Sequence, residues 1–194
     1  MSIVRVFSGE AWKGTKNYLN TQRKYEIIRT ILFFAISGAI FAMGWITTGS
    51  RMNLLTVVAV LGMLPASKSL VSVIMFCRYS SLSKDAAEKI EAHVGELTNL
   101  FDRVFTGDSQ NFIVGHLTIK GNSVCGYSED PKFDEKKFYE HVDKFLKADS
   151  YKSVKVKVFL DLKKYVDRLD QMQELACDES NTKGIADTLK SVSL

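Results

Sequence analysis

Two prolines, three cysteines and three histidines are all that 194 residues supply of these types, and each scarcity excludes something. Cys77, Cys125 and Cys177 are widely spaced and odd in number, so they cannot close a disulfide framework. None belongs to a C-x-x-C pair, and with His93, His116 and His141 equally scattered they form no zinc spacing, so no metal is expected. Free thiols suit a reducing cytoplasm. Acidic residues are nearly missing from the first 79 positions, where Glu10 and Glu26 stand against nine Lys/Arg, a net +7. The remainder has 17 Lys/Arg against 20 Asp/Glu, a net −3. The overall +4 is thus a property of the N-terminal part, not of a basic stripe on a folded domain, and nucleic acid is not an expected partner. The chain also lacks G-x-x-x-x-G-K-[ST], G-x-G-x-x-G, G-x-S-x-G and H-E-x-x-H, so no nucleotide cradle, nucleophile elbow or zincin helix is legible, and no cofactor is expected.

What is present is two long apolar runs. The first, Thr30 to Thr48, contains no charge; the second, Leu54 to Cys77, contains only Lys68. Each can cross a hydrocarbon core about 30 Å thick at about 1.5 Å rise per helical residue. The expected architecture is a basic tail over 1–26, interfacial or disordered, a transmembrane helical hairpin over 27–79, and a cytosolic α/β domain with a mixed sheet over 80–194. Six Lys/Arg precede the first run and only Arg51 lies between the two. The positive-inside rule then places both termini in the cytoplasm, in a multi-pass protein of the plasma membrane. The first apolar run is too long for a signal-peptide core and is followed at once by a second, so no cleaved leader is expected.

Within the hairpin, Ala35–Ala39 and Gly38–Ala42 in the first run and Gly62–Ala66 in the second are small-residue pairs at four-residue spacing. They pack either the hairpin on itself or one copy on another. Pro65 predicts a kink. Residues 65, 68/69 and 72 fall on one helical face, so Lys68, Ser69 and Ser72 form a membrane-embedded polar group. Lys68 either stretches to the cytoplasmic headgroups or lines a path, and the first is favoured by its place in the cytoplasmic half.

In the soluble part, Ala87, Ile90, Val94, Leu97, Phe101 and Val104 repeat at 3-4-3-4-3 spacing and predict one helix over Ser83–Phe105, capped by Ser83 and followed by Gly107. Phe112–Ile119 and Ser123–Tyr127 predict strands joined by a Gly121–Asn122 turn. Asp134–Ala148 predicts a helix with Phe138, Val142, Phe145 and Leu146 on one side. Ser153–Leu160 predicts a strand with Val154, Val156, Val158 and Leu160 inward and Lys155 and Lys157 outward. Asp161 caps a helix bearing Leu162, Val166, Leu169 and Met172, and a last helix carries Ile185, Leu189 and Val192. The predicted order is α-β-β-α-β-α-α. His116, on a strand with Phe112 and Val114, reads as a hydrogen-bonded core histidine rather than a base.

Two functional expectations follow. The first is a non-enzymatic, membrane-anchored binding, sensor or scaffold domain, with the lipid bilayer as one partner and a small ligand, a protein or a second copy as the other. The second is a membrane-tethered, metal-dependent hydrolase or nuclease using Glu129, Asp130 and Asp161 with Lys163, since carboxylates at neighbouring strand ends with a lysine can hold a divalent ion and a phosphodiester. A ligand-gated, membrane-permeabilising effector lined by Lys68 and Ser72 is compatible with the first.

Overall fold

The computed structural model describes residues 13–107 and 110–194. The described residues form six helices and one four-stranded sheet. The described chain divides into two compact units, residues 19–80 and residues 13–18 with 81–194.

The first unit is two helices, α1 (Tyr18–Thr48) and α2 (Leu54–Arg78). Both are long and apolar enough to cross a membrane, and most of their apolar surface is exposed rather than packed inside the protein. Helix α1 starts twelve residues before the uncharged run, so residues 18–26, expected in the tail, are helical. Residues 1–12 of that tail lie outside the described residues. Asn53 closes the turn by accepting the Thr56 N–H at 2.8 Å, a side-chain cap on α2. Gly44 sits against this cap, where a Cβ would lie 2.8 Å from the Asn53 Oδ1.

Small and hydroxylic residues bring α1 and α2 together. Ser37 is buried over Gly62, where a Cβ would stand 2.6 Å from the Ser37 Oγ, and Ala59 and Ala66 are buried beside it. Thr30 Oγ1 and Ser69 Oγ are 2.7 Å apart across the seam. Arg29 Nε also donates to Ser69 Oγ at 3.3 Å, while its Nη2 pairs with Glu26. Such interhelical hydrogen bonds contribute about 0.6 kcal/mol each in apolar surroundings. The predicted polar group therefore separates: Ser69 is buried in the seam, Ser72 is half-buried, and Lys68 is exposed on the outside. A 100° step per residue puts adjacent positions on different faces, so 68 and 69 do not share one. Of the small-residue pairs, Gly62–Ala66 lies at the seam, whereas Ala35, Gly38, Ala39 and Ala42 are exposed. Pro65 lies within α2 without ending it.

The second unit runs α3 (Lys84–Val94), β1 (Thr98–Thr106), β2 (Asn111–Lys120), β3 (Ser123–Tyr127), α4 (Glu135–Ala148), β4 (Lys155–Phe159), α5 (Leu162–Glu174) and α6 (Thr182–Ser191). The sheet order is β1-β2-β3-β4, with β3 and β4 parallel across the α4 crossover and the other pairs antiparallel. The sheet is mixed, as expected, but it has one strand more. The predicted Ser83–Phe105 helix stops at Val94, turns at Gly95 (φ +54°), and becomes β1. The helical spacing past Leu97 arose because β1 is buried on both sides, so Leu100, Phe101, Val104 and Phe105 are all interior and their spacing no longer reports a single face.

Helices α4 and α6 cover one side of the sheet with Phe138, Val142, Leu146, Ile185 and Leu189. Helices α3 and α5 cover the other with Ile90, Val94, Tyr165, Leu169 and Met172, against Phe101, Cys125 and Tyr127. Leu160, expected inward, is exposed just beyond the end of β4.

The edge strands are handled differently. The outer edge of β1 is occupied: Phe101 donates to the Gly14 carbonyl at 2.9 Å and Leu194 donates to the Val104 carbonyl at 2.9 Å. Arg103, fully buried there, donates to the Phe101 carbonyl and to Ser193 Oγ, both at 3.3 Å, and lies 5.2 Å over the Tyr18 ring. Burial pulls its pKa down to about 10, opposed by Tyr18 and Asp102, so it stays charged. The edge of β4 instead carries the outward Lys155 and Lys157, charges that discourage edge-to-edge pairing.

Candidate functional site

Two places in the α/β unit concentrate polar chemistry: a groove beside β4 and a notch in β1–β2.

The groove follows from sheet register. Ser123 pairs with Lys155 and Cys125 with Lys157, so these side chains leave the same face of the sheet. Helix α5 crosses that face, and its Lys164 and Arg168, four residues apart, point along one side of the helix. The result is an open groove of about 530 Å³ lined by four cations, one carboxylate (Asp167) and the apolar Phe159. Lys157 Nζ stands 5.0 Å from the Phe159 ring centroid. The volume is in the range of small-ligand sites, about 300–1,000 Å³. Burial pushes the Cys125 thiol up, and Arg168 and Lys157 only partly oppose it, so Cys125 is a neutral floor rather than a thiolate nucleophile.

Below the groove, Tyr165 is fully buried, with its hydroxyl 2.6 Å from His116 Nδ1 and 3.0 Å from Thr118 Oγ1. Phe101 lies against His116 with ring centroids 4.4 Å apart. Burial lowers the His116 pKa to about 3 and holds the Tyr165 phenol far above its usual range, so both are neutral at pH 7. No carboxylate contacts His116, and its Nε2 has no hydrogen-bond partner among the described residues. The network is a polar core, in keeping with the reading of His116 as a packed residue.

The notch is a break in strand alternation. Asp102, in mid-strand, has φ +52°. On either side of it Leu100 and Phe105, five residues apart, belong to the same core cluster, as do Val114 and Leu117 on the paired strand. Regular pleating would put residues an odd number apart on opposite faces. Gly115 lies in the same register gap as Asp102, and a Cβ on it would stand 2.5 Å from Leu82 Cδ1. The Leu82 side chain thus occupies space that a residue larger than glycine would fill, and its N–H donates to Asp102 Oδ1 at 2.9 Å. The next residue, Ser83, gives its N–H and its hydroxyl to the two carboxylate oxygens of Glu129. Residues 82–83 begin four positions after α2 ends, so the connector leaving the apolar hairpin is held by Asp102 and Glu129.

The residues singled out for metal-dependent hydrolysis are therefore distributed over other tasks. Glu129 binds Ser83, Asp130 Oδ1 accepts the Lys132 N–H at 2.9 Å, and Asp161 Oδ1 caps α5 from Lys163 N and Lys164 N at 2.9 and 3.4 Å. Lys163 contributes its backbone N–H to that cap. Among the described residues no group of three or more His, Cys, Asp or Glu is arranged to hold a metal ion. The groove residues Lys155 and Lys157 are legible in the sequence as an outward strand face and Lys164 as an ammonium group beside Asp161, but their meeting with one another and with Arg168 is not. The available signal was K-x-K on a strand followed by K-x-x-x-R on the next helix.

No protein-family model matches the chain, and comparison with curated proteins and with solved structures likewise finds no match.

Proposed function

We propose that this chain is a membrane-tethered, non-enzymatic binding protein whose cytoplasmic α/β domain takes a small phosphorylated ligand in the Lys155–Lys157–Lys164–Arg168 groove. The convergence of those four cations on one groove, with Asp167 as the single opposing carboxylate, carries the reading. Three flexible ammonium groups and one planar guanidinium suit the oxygens of a phosphate or pyrophosphate. Phe159 offers an apolar wall for the rest of the molecule.

The tether reading is supported by two helices of spanning length with exposed apolar surfaces and by the excess of Lys/Arg before α1 over the single Arg51 between the helices. On that reading the hairpin crosses the plasma membrane twice and both termini are cytoplasmic. The groove and the connector share β3: Ser123, Val124 and Cys125 line the former, and Glu129, two residues past the strand, holds the latter. A ligand that shifts β3 would therefore act on the connector, which suits a sensor. No observation favours a permeation path, since Lys68 and Ser69 point to different sides of α2.

The test is calorimetric titration of the purified full-length chain with pyrophosphate at low and high salt. Saturable heat that weakens with salt and disappears in Lys157→Glu/Arg168→Glu is expected. Equal heat from the double variant, or none from the native chain, would sink the ligand assignment. Release of the chain by carbonate washing would separately sink the tether.

A further inference from the structure

A second pocket lies in the same α/β unit, away from the groove. It has a volume of about 400 Å³ and is bounded by Lys16 and Asn17 on one side and by Leu82, Lys84 and Ala87 on another, over Phe101. What sets it apart is which stretches of chain build it. Lys16 and Asn17 immediately precede α1, and Leu82 follows the end of α2 by four residues. The two segments that flank the apolar hairpin in sequence thus form facing walls of one cavity. Both walls are fixed: Gly14 and Lys16 tie the first to Phe101 and Glu91, and Leu82 is seated at Gly115 and bonded to Asp102.

The chemistry of the walls is amphipathic. Leu82, Ala87 and Phe101 give an apolar interior, while the exposed Lys16 and Lys84, with Glu88 as the single carboxylate, line its polar side. Lys16 is engaged by Glu91 at 2.7 Å, whereas the exposed Lys84 has no ion-pair or hydrogen-bond partner among the described residues. A ligand that satisfies this arrangement has one anionic group for Lys84 and an adjoining apolar body. Its source follows from chain reach: three to five residues separate Arg78 from Leu82 and Lys84, a span of at most about 20 Å at 3.3–3.6 Å per extended residue. A cavity so closely leashed to a membrane span is within reach of the lipid headgroup layer.

We propose that this pocket binds an anionic phospholipid of the surrounding bilayer, with the phosphate at Lys84 and the glycerol and upper chain against Leu82, Ala87 and Phe101. The bound lipid would then bridge the segments before and after the hairpin. The assignment rests on the membrane tether of the proposed function but not on the phosphorylated ligand of the groove.

The experiment uses the full-length chain in neutral detergent, titrated with phosphatidylglycerol or phosphatidylcholine, with bound lipid counted by native mass spectrometry. One phosphatidylglycerol is expected to bind in preference to phosphatidylcholine, and Lys84→Glu is expected to lower its apparent affinity about tenfold. Lys89→Glu, the same charge change at an exposed position of α3 outside the pocket, should leave it unchanged. Glycerol phosphate, which has the headgroup chemistry without chains, should not compete at equal concentration. Equal losses in the two variants, no loss in either, or full competition by glycerol phosphate would each overturn the assignment. Flotation of the native chain on phosphatidylcholine vesicles reads the tether separately, so a failure there is distinguishable from a failure of headgroup selectivity.

Discussion

Glu129 accepts two hydrogen bonds from one residue, the hydroxyl of Ser83 on one carboxylate oxygen and the Ser83 N–H, at 3.2 Å, on the other. Ser83 is the N-cap of α3, yet its side chain makes no cap within its own helix. The hydroxyl that would normally satisfy the first turn is spent on a contact 46 positions away, and it fixes the connector to the end of β3.

Replacing Glu129 by Ala should free the connector without opening the core, because the contact is exposed. An exposed hydrogen bond to a charged group contributes about 1–1.5 kcal/mol, so the melting temperature should fall by about 3–6 °C. Hydrogen exchange at the Ser83 amide should accelerate, and Glu129→Gln should fall between the two. Unchanged exchange at Ser83 in Glu129→Ala would show that the clamp does not hold the connector.

Gly115→Ala tests the notch. The added methyl would lie 2.5 Å from Leu82 Cδ1, closer than non-bonded carbons approach, so Leu82 must move and the Leu82–Asp102 bond must lengthen. Overpacking of this kind costs about 1–3 kcal/mol. Leu82→Ala should be destabilising alone, yet should relieve part of the cost in the double variant. Strict additivity of the two in denaturant unfolding would exclude contact between these positions.

His116 predicts an acid-labile fold. Its pKa falls from 6.5 to about 3 on folding because burial penalises the imidazolium. The unfolded chain therefore takes up a proton as pH drops through 6.5, while the folded chain does not until pH approaches 3. This contribution to stability is complete above pH 6.5 and is lost between 6.5 and 3, at up to about 1.4 kcal/mol per pH unit. His116→Leu should flatten the pH dependence of the unfolding free energy over pH 4–6 relative to the native chain. The same slope in both would assign the acid sensitivity to other groups.

Deleting Ser193 and Leu194 should destabilise the α/β unit by about 1–3 kcal/mol, the cost of leaving buried groups with fewer partners. The deletion removes the Ser193 Oγ acceptor of the buried Arg103 and the Leu194 N–H bonded to Val104 on the β1 edge. Arg103→Met combined with the deletion should recover part of the loss, because a methionine needs no hydrogen-bond partner. A deletion with no effect on the unfolding midpoint would show that the C-terminal residues do not seal that edge.

The legible parts of this fold are those whose cause is local. Thr30–Thr48 and Leu54–Cys77 are apolar by composition, so their helices were expected whatever surrounds them. Asp134 and Asp161 cap α4 and α5 because a carboxylate two or three residues before a free N–H is a local geometry. The Gly121–Asn122 turn and the Val154–Val158 alternation are equally short-range. The misread element, the C-terminal half of the predicted Ser83–Phe105 helix, is a strand buried on both faces, where side-chain spacing carries no face information. The proposed groove was half-visible: Lys155 and Lys157 alternate on a strand, but their meeting with Lys164 and Arg168 depends on where α5 crosses the sheet.

The amino-acid order alone thus determined the two apolar helices, the charge asymmetry about residue 80 and the helix caps, since each depends on residues within a few positions of one another. Only the tertiary structure decided that Glu129 holds Ser83, that Gly115 makes room for Leu82, that residues 13–18 pack with the α/β unit, and that four cations share a groove. The first three join positions at least 33 residues apart and the last brings a strand and the helix after it onto one face, and no local periodicity records which backbone a side chain will meet once the sheet has set its register.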